Sequence, residues 1–172
     1  LVIILLAAFI VVPGFAQTGR VKESLKFQSN LVSYPIEYSI YLPPDYETSN
    51  RSYPVLYLLH GYSDDETGWI QFGEANMIAD KGITNGDYPP CIIVMPDGKV
   101  TWYCNSFDGK DPCEDMFVKE FIPFIEKEYR IRAQKEFRAI AGLSMGGNGA
   151  LLLSMRHPDL FSSCVAMSAG TF

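Results

Sequence analysis

A serine with glycines at the −2 and +2 positions stands at Gly142-Leu143-Ser144-Met145-Gly146. The apolar run 137–141 (FRAIA) precedes it, and a small-residue stretch of helical character begins near Met145. Nucleophilic acyl transfer uses such a strand-to-helix turn. The strained turn lifts the hydroxyl clear of the backbone, and glycines on both sides let strand and helix approach closely. The same turn aims the helix N-terminus, with its unpaired amides and positive dipole end, at the reacting centre. Ser144 is therefore the expected nucleophile.

An attacking serine also needs amides that face the developing oxyanion, one from the residue after it and one from the loop after an earlier central strand. Met145 supplies the first. The second is expected from Leu59-His60-Gly61-Tyr62, with Tyr62 as donor, Gly61 permitting close approach and His60 holding the loop. In folds with this elbow the acid and the histidine follow the serine in the chain, so His60 is expected as a brace rather than the base. His157 does follow Ser144, but a helix rising about 1.5 Å per residue carries it nearly 20 Å away. Neither histidine fits the base, and the expectation is that acid and base lie beyond Phe172.

A second constellation, Met95-Pro96-Asp97-Gly98 with Trp102 and Tyr103, leaves the carboxyl end of a strand, the edge where open α/β sheets collect ligands. Trp102 and Tyr103 either wall a substrate pocket or are packing. Cys104 and Cys113 flank a polar loop and either close a disulfide or remain thiols, while Cys91 and Cys164 open apolar runs as small buried hydrophobes. No Cys or His spacing suits a metal, and no cofactor is implied.

The elements that must position these groups follow from the hydrophobic pattern. Residues 24–32 and 36–42 alternate as two half-buried antiparallel strands. From residue 54 the pattern changes to short continuous apolar runs at 54–59, 91–95, 137–141 and 163–167, separated by helix-period stretches. That predicts an α/β fold with a mostly parallel sheet covered on both faces. Helices are expected at 74–81, at 114–129 with a kink at Pro123, and at 145–156, ending before His157-Pro158.

A 172-residue chain that is 48% hydrophobic can bury a core, which excludes disorder, and its net charge of −6 without a basic cluster disfavours nucleic acid. Residues 1–16 form an uncharged apolar segment, too short before Pro13 to span a bilayer, with Gly14 and Ala16 at the −3 and −1 positions of a cleavage site. They read as the h-region of a signal peptide clipped at its start, or else as a buried first element. The domain proper is then 17–172, in a secreted or periplasmic protein.

The motifs YLLHGY (57–62), MPDG (95–98), WYCNS (102–106), EDMFVKEFIPFIE (114–126), AGLSMGG (141–147) and HPDLF (157–161), in this order, together resemble the esterase D-like serine esterases. That group includes feruloyl and acetylxylan esterases of carbohydrate esterase family 1, S-formylglutathione hydrolases, short-chain esterases and mycolyltransferases. The resemblance implies an α/β-hydrolase fold, a Ser-His-Asp triad with Ser144 as nucleophile, an oxyanion hole from the amides of Tyr62 and Met145, and no metal or organic cofactor. It implies too that the triad's Asp and His follow the strand after the elbow helix, so that the chain is an N-terminal part of the domain, inactive alone. The expected substrate is an acylated polysaccharide or oligosaccharide carrying feruloyl or acetyl groups. Alternatives are a generic short-chain esterase, an S-formylglutathione hydrolase-like enzyme, a mycolyl-type acyltransferase and a non-catalytic carbohydrate-binding relative. Oligomeric state is not legible.

Overall fold

The computed structural model describes residues 18–170, so the expected signal segment 1–16 lies outside the described residues. Six strands form one sheet in the order β1-β2-β4-β3-β5-β6. β3 (Val55–Leu59), β4 (Ile92–Pro96), β5 (Arg138–Leu143) and β6 (Ser163–Met167) run parallel, as their continuous apolar runs predict. β1 (Arg20–Gln28) and β2 (Pro35–Leu42) form the antiparallel hairpin at one edge.

β2 departs from the expected half-buried pattern. It lies between β1 and β4, and Ser39 and Tyr41, on the face opposite Tyr38 and Ile40, are fully buried too. An inner strand of a covered sheet has no wet face, whatever its alternation suggests.

Helices cover both faces. On one, Ile40, Tyr57, Val94 and Ile140 pack with Phe117, Phe121, Ile125 and Leu153. On the other, Tyr41, Leu58, Ile93, Met95 and Ala141 pack with Ala79 of α2 (Ala75–Asn85), which follows the short α1 (Gly68–Gln71). The helix expected over 114–129 is built in three pieces: α3 (Cys113–Met116), a π turn (Phe117–Phe121) and α4 (Ile122–Glu128). Pro123 cannot donate to the helical ladder and its ring crowds the preceding turn. The wider π turn just upstream takes up that conflict while Phe117, Phe121 and Ile125 all stay in the core. α5 (Met145–Arg156) follows Ser144 directly and stops at His157, as expected before a proline. None of the described helices is long and apolar enough to cross a membrane.

Candidate active site

The elbow joins β5 to α5 with no intervening loop. Ser144 adopts φ 53° and ψ −110°, a backbone conformation that a side chain makes costly, and its residue surface is exposed. Its amide donates to the Met167 carbonyl at 2.9 Å, which ties the turn to the end of β6. A Cβ on Gly142 would fall 2.2 Å from the Gly146 carbonyl oxygen, and one on Gly146 would fall 2.4 Å from that of Leu59 and 2.5 Å from that of His60. Only glycines let β5, α5 and the loop after β3 meet this closely. A Cβ on Gly61 would sit 3.8 Å from the Ser144 Cβ, so the Gly61-Tyr62 turn and buried Met145 both border the serine.

His60 is 1% exposed and spans two loops. Its Nδ1 lies 2.8 Å from the Gly61 carbonyl oxygen, which can only accept, and its Nε2 lies 2.9 Å from the Gly98 amide, which can only donate. These partners fix a neutral ring protonated at Nδ1. Both ring nitrogens are thus engaged by the two loops.

Asp97 Oδ1 stands 3.4 Å from the same Nε2. Burial pushes its carboxyl up, but the Lys99 amide at 2.6 Å and the Lys99 ammonium at 3.1 Å oppose that, and the carboxyl is held down to about 2. Asp97 is thus an anchored carboxylate at the foot of the loop. Carboxylate oxygens of Glu37, Glu66 and Asp97 lie within 4.8 Å of one another, yet each has a protein partner: Lys26, Ser24 and Lys99 respectively.

Trp102 and Tyr103 separate. The Trp102 ring lies 6.1 Å from that of exposed Tyr62 and lines a groove of about 580 Å³ with Asn148, Leu151, Leu152 and Met155 along α5. Tyr103 is 1% exposed and belongs to the core, so it walls no pocket. Of the two alternatives for Cys104 and Cys113, bridge or thiols, both are free thiols. Cys113 is buried and its sulfur accepts from the Thr101 hydroxyl at 3.0 Å, while the Cys104 thiol is turned to the Thr101 carbonyl. Burial pushes the Cys113 thiol up to about 12. Cys164, expected in the interior, is exposed on β6, which has no strand beyond it among the described residues.

Glu114, in the first turn of α3, is buried and joins that helix to the end of α5, accepting from Arg156 at 2.6 Å with His157 Nε2 at 3.0 Å. His157 is occupied there, away from the elbow. Tyr103 and Glu114 were missed as tertiary anchors because nothing local separates a buried polar tip from an exposed one.

Comparison with known proteins agrees with this geometry. The family described as putative esterase matches residues 29–171. An endo-1,4-beta-xylanase/feruloyl esterase of Xylanibacter ruminicola is 37% identical over 141 residues, covering 78% of this chain and 19% of the relative. An esterase of Mycobacterium tuberculosis is 37% identical over 147 residues, covering 83% and 31%. The solved structure of a ferulic acid esterase superposes with a TM-score of 0.83 at 34% identity, covering 89% of this chain and 59% of the other. The chain thus spans less than a third of these curated relatives. With an α/β-hydrolase sheet, a glycine-flanked serine elbow and a family match across nearly all described residues, the chain belongs to the putative esterase family.

Proposed function

We propose that this chain carries the nucleophile and oxyanion loop of a secreted serine carboxylic-ester hydrolase that removes feruloyl or acetyl groups from plant cell-wall polysaccharide. The observation that carries the reading is the strained Ser144 backbone, φ 53°, at a turn where Gly142, Gly146 and Gly61 permit approach to the serine. Strain of this kind costs about 1–3 kcal/mol and persists where function requires it.

In the proposed reaction the Ser144 hydroxyl loses its proton to a general base and attacks the ester carbonyl. The Met145 and Tyr62 amides stabilise the tetrahedral oxyanion, the alcohol leaves, and water releases the acid from the acyl-serine. His60 and His157 are engaged elsewhere, so the base is neither of them. The polysaccharide ester is supported by the xylanase/feruloyl esterase relative and the ferulic acid esterase structure. Export is supported by residues 1–16.

The test is the full-length gene product assayed on methyl ferulate, acetylated xylan and p-nitrophenyl butyrate, with fluorophosphonate labelling mapped by mass spectrometry. Labelling at Ser144 with turnover of the first or second substrate is expected. Labelling with turnover of butyrate alone overturns the polysaccharide assignment, and a folded protein without label overturns the nucleophile.

A further inference from the structure

Tyr103 meets the oxyanion loop from below. The chain reaches it through two consecutive non-glycine residues with positive φ, Trp102 at 59° and Tyr103 at 55°. Two such residues in succession are unfavourable for side chains of this size, so surrounding contacts must hold them. Those contacts converge on the Tyr103 ring. A Cβ on Gly98 would fall 2.2 Å from it, and one on Gly149, just over a helical turn past Ser144, would fall 2.7 Å from it. The His60 ring meets it edge-on at 5.8 Å between centroids. At the tip, the phenol oxygen accepts the His60 backbone N–H at 3.1 Å in a fully buried setting.

We infer that Tyr103 is a positioning residue for the esterase reaction: its hydroxyl sets the height of the His60 amide and, through it, of the Gly61-Tyr62 turn that faces Ser144. The inference rests on the proposed ester hydrolysis. The His60 side chain fixes the Gly61-Tyr62 peptide at its carbonyl, and the Tyr103 hydroxyl fixes the Leu59-His60 peptide at its N–H. The peptides on both sides of His60-Gly61 are therefore pinned, leaving the Tyr62 amide little freedom. A donor preorganised in this way costs no reorganisation during the reaction. Burial leaves the phenol protonated, since desolvation, the largest influence, pushes its ionisation well above the usual range and outweighs the His60 N–H, which by itself favours the phenolate.

The test is Y103F in the full-length gene product, with kcat and KM on its best ester and hydrogen exchange at the His60 amide. The ring stays, so packing against Gly98 and Gly149 is kept. We expect kcat to fall about 10- to 100-fold with KM changed less than about threefold, as for a misplaced oxyanion donor, and faster His60 exchange. G149A tests the same point from the other side, pushing the ring while keeping the hydroxyl and favouring the helix. It should lower kcat in the same sense, and it stands in if Y103F does not fold. Unchanged kcat and unchanged His60 exchange in a folded variant overturn the inference. If the parent protein labels no serine and hydrolyses no ester, the proposed function fails first. The exchange measurement then decides alone: unaltered protection refutes the Tyr103 contact and increased exchange supports it.

Discussion

The carbonyl oxygen of Gly146 lies only 2.2 Å from where a side chain on Gly142 would begin. The elbow is thus a backbone-to-backbone contact between β5 and α5, and Gly146 repeats it against the carbonyls of Leu59 and His60. Neither surface is the end of a flexible side chain that could swing aside.

Substitution G146A tests this contact. Overpacking against flexible side chains costs about 1–3 kcal/mol, and rigid backbone on two sides puts this site at or above the top of that range. Urea unfolding of the variant should show a lower midpoint with loss of fluorophosphonate labelling. A G146A protein as stable and as reactive as its parent would mean that the strand and helix are farther apart than described.

His60 is predicted to act on stability and on rate, but not on the pH profile. H60L leaves the buried Gly98 amide without an acceptor and the Gly61 carbonyl without its ring donor. Each orphaned group costs about 1–3 kcal/mol, and the loosened oxyanion loop lowers kcat. Because the ring is not the base, the shape of kcat/KM against pH should survive in the residual activity. Disappearance of the basic-group limb would return His60 to the role of base.

Asp97 predicts an acid limb in stability. Its folded value of about 2 lies below the usual 3.8, so the unfolded chain binds the proton more tightly and stability falls as pH drops. The contribution is complete above about pH 4 and disappears by about pH 2, at a size of about 2 kcal/mol. Urea midpoints measured across that window should slope downward for the parent and less steeply for D97N, which cannot titrate there. Equal slopes would show that Asp97 is not held ionised by Lys99.

How far the sequence reveals this arrangement depends on the range of the interaction. The parallel strands, α5 and the glycine-flanked serine are legible because continuous apolar runs, proline stops and Gly142/Gly146 carry their signal within a few residues. Buried Ser39 is not legible, since its environment comes from a neighbouring strand far along the chain. The same is true of Tyr103, whose partners on three separate segments turn an apparent pocket aromatic into a core post. The π turn before Pro123 was foreshadowed as a kink, but only the packing of Phe117 and Phe121 on one face selects a wider turn over a bend. Two cysteines flanking a short loop signal a bridge equally whether or not their side chains meet. Here the Thr101 hydroxyl and carbonyl engage the two sulfurs instead.

Ser144 should oppose stability to function. At φ 53° and ψ −110° its Cβ is a liability, and its side chain has no hydrogen-bond partner among the described residues to offset it. Glycine enters this region readily, although it also gains freedom in the unfolded chain, which subtracts from the benefit. Strain of about 1–3 kcal/mol less roughly 0.5–1 kcal/mol of added chain entropy leaves S144G more stable by about 1 kcal/mol. The same change removes the only hydroxyl at the elbow and abolishes fluorophosphonate labelling. S144A, which keeps the Cβ and the strain, should lose labelling without gaining stability. Chemical denaturation of the three proteins side by side checks the order. An S144G protein no more stable than S144A would mean that the backbone at Ser144 is not under strain, and the elbow would lose the observation on which its catalytic reading rests.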